Sequence, residues 1–215
     1  MNLHRIEGTA EWAAVSPRDR NAWQKAAAST HGIVTIGNFF SLLGLLSVPY
    51  GLILVSGEDH IMAIVVLALG RLCDLLDGWL ADKTATKSPL GEKIDASFDK
   101  VSTGAAVAGL VLLGILPGII AAGLIVPHAI IAVLALIAFA AKKPFHPSII
   151  GKLSMAALWL TILVFMAIPA LPSNVQSQGE LIALGVFYMT TALGVAALLG
   201  YIMELYRSRR QTPVA

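Results

Sequence analysis

Predominantly apolar runs occupy approximately residues 32–56, 61–82, 93–115, 118–141, 152–169 and 180–206, and short polar joints separate them. A helix needs about 20 apolar residues to cross the hydrocarbon core of a bilayer. Only helices or closed barrels satisfy every backbone polar group in lipid, and the two-residue alternation of barrel strands is absent. The pattern therefore predicts an all-α, polytopic integral membrane protein with six transmembrane helices over residues 32–206.

The flanks read differently. Residues 1–31 are polar, make too long a leader for a cleaved signal peptide, and are expected to remain as an N-terminal cytoplasmic or interfacial segment. Within them Ser16, Pro17 and Asp19 offer an N-cap, a proline in the first turn and an acid three residues after the cap, which predicts a helix over 17–29. Trp12 and Trp23 suit a segment lying at headgroup level. Residues 207–215 form a basic cytoplasmic tail.

Charge sorts the joints into two kinds. Arg5, Arg18, Arg20 and Lys25 precede the first run, Lys83, Lys87 and Lys93 follow the second, Lys142, Lys143 and Lys152 follow the fourth, and Arg207, Arg209 and Arg210 follow the sixth. The other joints hold Glu58 and Asp59, the uncharged turn from Gly114 to Gly118, and Glu180. The positive-inside rule then predicts a multi-pass protein of the cell membrane with both termini and the basic joints in the cytoplasm.

Composition agrees: 57% of residues are hydrophobic, 13% are charged and the mean hydropathy is +0.78, against about 25% charged in soluble domains. A net charge of +2 with no basic run interleaved with aromatics gives no reason to expect nucleic acid as a partner. The single cysteine, Cys73, excludes an intrachain disulfide, and the five histidines lack zinc-site spacing. Among the remaining residues, Trp79 and Trp159 are expected to anchor at the interface, and Gly104, Ala108, Gly185 and Gly194 to permit close helix contact. His128 and His146 are expected at a loop or span end, and Cys73 as a small packed side chain.

Carboxylates inside the spans change the picture. An ionisable residue within a span costs a few kcal/mol, so it marks a functional site by default. Asp74 and Asp77 lie three apart near the cytoplasmic end of the second run, and Asp95 and Asp99 lie four apart near the start of the third. Each pair occupies one helical face. The joint over 83–92 lets the two helices meet as antiparallel neighbours and bring the four carboxylates together. Such a group needs a cation, a proton or a basic side chain, and Arg71 stands three residues before Asp74. Hard oxygen ligands favour Mg²⁺, Mn²⁺ or Ca²⁺, and a two-metal site suits phosphoryl chemistry.

Residues 74–99 read Asp74-x2-Asp77-Gly78-x2-Ala81-Asp82-x8-Gly91-x3-Asp95-x3-Asp99. This resembles the signature D-x2-D-G-x2-A-R-x8-G-x3-D-x3-D of the CDP-alcohol phosphotransferases, with seven of its eight fixed positions matched. The resemblance implies six spans with the motif on the second and third. It implies that Asp74, Asp77, Asp95 and Asp99 hold Mg²⁺ or Mn²⁺, as two ions, beside the pyrophosphate of CDP-diacylglycerol. Asp99 would be the catalytic base for the hydroxyl of a small polar alcohol, with CMP released. Asp74, Gly78, Ala81, Asp82, Ser88 and Gly91 would face the donor, the small residues admitting the nucleotide close to the backbone. On structural grounds alone, Ser88 is equally a helix cap and the glycines a packing device.

Two departures stand out. Asp82 occupies the motif's arginine position, a reversal that replaces several donors by none. Lys83, Lys87 or Arg71 are candidates to compensate it, or Asp82 is a further metal ligand. Where relatives read P-N-x-L-T-x2-R, this chain reads Gly37-Asn38-Phe39-Phe40-Ser41-Leu42-Leu43-Gly44, which keeps Asn38 and a hydroxyl but loses the arginine.

The acceptor is less determined. Lys142, Lys143, Lys152 and Asn38 are candidates to bind an acceptor phosphate, although a cytoplasmic joint carries lysines on topology alone. Asp99-Lys100 and Gly151-Lys152 resemble segments of phosphatidylglycerophosphate synthases, while Ser154, Met155 and Leu158 depart from the second of these. Glycerol 3-phosphate is therefore the first candidate and inositol phosphate remains open. Membrane lipid is the implied surrounding, and a homodimer is the state the family commonly adopts. A prenyltransferase-like pyrophosphate enzyme and a cation transporter using the same carboxylates are the competing readings. The first normally has more helices and other motif spacing, and the second has broken helices or paired repeats.

Overall fold

The computed structural model describes residues 10–140 and 148–210, so Lys142, Lys143 and His146 lie outside the described residues. Among these residues every regular element is helical: α1 Ala22–Ser29, α2 Ile36–Ser56, α3 His60–Lys83, α4 Pro89–Leu112, α5 Gly118–Ala140, α6 Ile149–Ala167 and α7 Gln176–Arg210. The helices α2 to α7 each fall on one of the apolar runs, with ends displaced by a few residues. Four stretches are long and apolar enough to cross a membrane: Ile36–Ser56, Gly118–Ala138, Ile149–Ala170 and Gln176–Tyr206. The charged side chains of α3 and α4 set those two helices apart from the other four.

The chain forms two compact units, Met1–Ala106 and Val107–Ala215. In the first, α2 and α3 form a hairpin turned by Gly57, Glu58 and Asp59. The buried face of α2 is a stripe of Gly37, Ser41, Gly44, Val48, Gly51 and Val55, spaced at alternating three and four residues. Small residues matter here because lipid tails are as apolar as leucine, so helices associate in a membrane through close packing. A Cβ added at Gly44 would stand 3.0 Å from the Gly70 carbonyl oxygen, and one at Gly51 would stand 2.8 Å from Leu67 Cγ. At Gly70 itself the space of a Cβ is filled by Ser47 Oγ.

The N-terminal segment corrects two expectations. Residues 17–19 form a turn, and α1 begins only after Asn21. There Asn21 Oδ1 accepts from Gln24 N–H at 2.8 Å while Gln24 Oε1 accepts from Asn21 N–H at 3.0 Å. This reciprocal box satisfies two amides that the Ser16 cap would leave unpaired. Trp12, expected at headgroup level, is buried, with its ring edge against Gly32. Gln24 Nε2 donates to the Thr84 carbonyl at 3.0 Å and so ties α1 to the joint between α3 and α4.

In the second unit polar groups bind helix to helix. Thr161 and Thr190 hydroxyls lie 2.8 Å apart, and Thr190 Oγ1 donates to the Ala157 carbonyl at 3.0 Å, linking α6 to α7. Tyr201 OH accepts from Ser148 N–H at 2.9 Å, just ahead of α6. Trp159, expected at the interface, is buried within this unit. His128 lies inside α5 rather than at a span end, with Nδ1 2.8 Å from the Leu124 carbonyl and Nε2 3.3 Å from Ser154 Oγ. Gly194 packs against Pro127, as close contact requires, whereas nothing stands within 4 Å of a Cβ at Gly104 or Gly185.

Candidate functional site

The first unit holds the candidate site. Asp74 and Asp77 project from α3 and Asp95 from α4, and one oxygen from each lies within 4.8 Å of the other two. Their grouping follows from local causes. Three residues of helix bring Asp74 and Asp77 to one face. The end of α3 turns sharply: Thr86 N–H donates to the Ala81 carbonyl and Ala85 N–H to that of Asp82, with Ala85 at φ 50°. This is the six-to-one and five-to-two pattern that closes a helix with a left-handed residue, here alanine where glycine is usual. Ser88 then caps α4, its Oγ accepting from Gly91 N–H at 2.9 Å, with Pro89 as the first helical residue.

Ser41 donates its hydroxyl to Asp77 Oδ2 at 2.6 Å. Asp95 Oδ1 is buried and meets no hydrogen-bond donor. A buried carboxylate oxygen next to two further carboxylates lacks compensation that a cation would supply. An all-oxygen donor set from three aspartates fits a hard divalent ion such as Mg²⁺ or Mn²⁺.

Asp99 stands apart from this group. Its Oδ1 accepts from Arg71 Nη1 at 2.8 Å, while Arg71 Nη2 lies 2.9 Å from Asp74 Oδ2. The four aspartates thus divide into three that share a centre and one held on a guanidinium that also touches the centre.

Beside the carboxylates lies a small cleft of about 60 Å³, whose lining includes Asn38, Gly78, Ala81, Ser88, Gly91 and Lys87. Thr35, Ser41, Thr86 and Glu92 also border it. No atom stands within 4 Å of where a Cβ at Gly78 would lie, so that position leaves open space. Gly91 is confined instead: a Cβ there would meet Ser88 Oγ at 3.1 Å and Asn38 Oδ1 at 3.3 Å. Asn38 is fixed by its amide, which donates to the Ile33 carbonyl at 2.8 Å and to that of Gly32 at 3.2 Å. Asp74 and Asp82, expected to face the donor, are not among the residues lining this cleft; Asp82 is 57% exposed, with Oδ1 2.7 Å from Lys87 Nζ. Lys152 is exposed in the first turn of α6, in the second unit.

Arg71, Ser88 and Asn38 were visible in the sequence, but Thr35, Thr86 and Glu92 were not. Arg71 was expected beside Asp74, and its bond to Asp99 depends on the pairing of α3 with α4. Thr35, Thr86 and Glu92 have no spacing signal, because they meet only where three chain segments converge.

The family model for CDP-alcohol phosphatidyltransferase matches residues 34–202. The chain belongs to this family. A 72-residue segment, 32% of the chain, is 38% identical to the archaetidylinositol phosphate synthase of Aeropyrum pernix, covering 37% of that protein. A 90-residue segment, 41% of the chain, is 38% identical to the CMP-forming cardiolipin synthase of Rattus norvegicus, covering 30% of it. The matched segments therefore span about a third of each relative's length. No solved structure matches the chain.

Proposed function

We propose that the protein transfers the phosphatidyl group of CDP-diacylglycerol to the hydroxyl of a polar, phosphorylated alcohol, with glycerol 3-phosphate as the first candidate, and releases CMP. The observation that carries this reading is the division of the motif aspartates. Asp74, Asp77 and Asp95 form one centre, and Asp99 is held separately by Arg71.

All six helices α2 to α7 cross the membrane in this reading, with α3 and α4 carrying the site. The basic joints set the site and both termini toward the cytoplasm, where a water-soluble acceptor and departing CMP exchange freely. The donor's acyl chains stay in lipid.

Asp74, Asp77 and Asp95 would hold Mg²⁺ or Mn²⁺, and Asp99 would contribute a ligand if a second ion binds. Bound metal supplies charge stabilisation for the phosphoryl oxygens and the leaving CMP. Ser41 fixes the Asp77 carboxylate, and Arg71 fixes both Asp74 and Asp99. Asp99 accepts the proton of the acceptor hydroxyl as its oxygen bonds to the phosphatidyl phosphorus and the bond from that phosphorus to the CMP oxygen breaks. Gly78 leaves the backbone approachable by the donor, Ala81, Ser88 and Gly91 border it from the cleft, and Asn38 is a candidate for the acceptor's phosphate. Lys142, Lys143 and Lys152 would attract the acceptor's phosphate.

The test is product identification by mass spectrometry. Purified protein in lipid micelles receives CDP-diacylglycerol, Mg²⁺, and either glycerol 3-phosphate, inositol phosphate or no acceptor. One acceptor giving a phosphatidyl product with equimolar CMP supports the proposal. No product with any acceptor, from folded protein, contradicts it.

A further inference from the structure

We propose that Lys87 supplies the positive charge for the donor's pyrophosphate that the family motif carries on an arginine at position 82, and that Asp82 is the residue that holds it there. The inference rests on the functional reading above and assigns a binding residue that the motif does not contain.

Arg71, Lys83 and Lys87 are the candidates to compensate for the missing arginine, and the structure separates them. Arg71 is committed to Asp74 and Asp99. Lys83 Nζ lies over the ring of Trp79, 4.4 Å from its centroid and away from the cleft lining. Lys87 borders the cleft together with Asp77 and Asp95, and it is the cation among the lining residues. Its Nζ is 2.7 Å from Asp82 Oδ1.

The joint is built to keep Lys87 in this place. Its neighbours Thr86 and Ser88 are 1% and 5% exposed. Thr84 and Thr86 hydroxyls lie 2.9 Å apart, and Gln24 Nε2 holds the Thr84 carbonyl. With the backbone fixed on both sides, the pair with Asp82 sets the direction of a side chain that otherwise samples many rotamers. Asp82 is 57% exposed against 23% for Lys87, so the anion faces outward and the cation inward. An anionic pyrophosphate beside three carboxylates is held more tightly by such a cation on its other flank, in addition to the metal the carboxylates would hold. The exchange also alters the contact, because an ammonium is a point charge and lacks the planar fork of arginine.

Equilibrium binding of CDP to the full chain in detergent with saturating Mg²⁺ tests this. Lys87→Met is expected to weaken CDP binding about tenfold or more, as loss of one charge-assisted contact does. Lys87→Arg is expected to stay within about threefold of the unaltered protein on the same ground. Adding Asp82→Arg to Lys87→Met restores binding, since it returns the motif's own cation. Equal affinity of Lys87→Met and the unaltered protein overturns the proposal. Equal loss in Lys87→Arg and Lys87→Met also overturns it, because charge would then not be the cause. Failure of the unaltered protein to bind CDP at all overturns the functional reading itself, and this proposal with it.

Discussion

Arg71 Nη1 donates to Asp99 Oδ1 at 2.8 Å across the gap between two helices, while its other terminal nitrogen pairs with Asp74 on its own helix. One guanidinium therefore sets the distance between the proposed base and the three-carboxylate centre. A lysine has no fork with which to hold both. Arg71→Lys is expected to lower turnover roughly tenfold and Arg71→Gln roughly a hundredfold, taking about 1.5–3 kcal/mol for a charge-assisted hydrogen bond. Initial rates of CMP release on protein of matched melting temperature check this.

The orphaned Asp95 oxygen and its two carboxylate neighbours predict linkage between metal and stability. Saturation with Mg²⁺ or Mn²⁺ at about a hundred times its dissociation constant adds about 2.7 kcal/mol to the folded state, and a chain of this size gains several degrees in Tm. The gain is expected to vanish on chelation with EDTA and in Asp77→Asn or Asp95→Asn. A thermal-shift series in detergent reads it without reference to catalysis.

Much of this was legible from the chain. The apolar runs located α2 to α7, and in four of these helices the run is long and apolar enough to cross a membrane. The aspartate spacing pointed to the three-carboxylate group, because i, i+3 and i+4 positions share a face in any helix. The position of Asp99 was not legible: its partner is contributed by another helix, and spacing within α4 alone suggests membership of one four-carboxylate group. The N-terminal helix starts later than its first capping signal for a local reason. Ser16-Pro17-Arg18-Asp19 and Asn21-x2-Gln24 are both valid starting signals, and the second makes two reciprocal bonds and also reaches Thr84. Residue type alone places Trp12 and Trp159 at the interface, whereas packing buries both.

Close approach of α2 and α3 makes a graded prediction for glycines. Gly70→Val puts two methyl groups where Ser47 already sits, and overpacking of this kind costs about 1–3 kcal/mol. Gly185→Val meets open space and is expected to change stability little, since nothing lies within 4 Å of its Cβ. The difference in Tm between the two variants checks the small-residue stripe as the basis of this hairpin.

Ala85 holds a left-handed conformation with φ 50° at the end of α3. Such a residue carries about 1–2 kcal/mol of strain that glycine avoids, partly offset by about 0.5–1 kcal/mol of extra chain entropy in the unfolded state. Ala85→Gly is expected to raise Tm by one to a few degrees, by the usual scaling of roughly 2–4 °C per kcal/mol. A lowered Tm would mean that the joint is held in some other way.

Asp99, held on Arg71 outside the three-carboxylate centre, is the proposed acceptor of the proton from the alcohol. Single-turnover CMP release at saturating Mg²⁺, CDP-diacylglycerol and acceptor, compared between the unaltered protein and Asp99→Asn, tests it most directly. A fall in rate of about 10²–10⁴-fold is expected, the usual contribution of a positioned base, with the metal-induced stabilisation from the Asp74, Asp77 and Asp95 centre retained. A rate within threefold of the unaltered protein would contradict it.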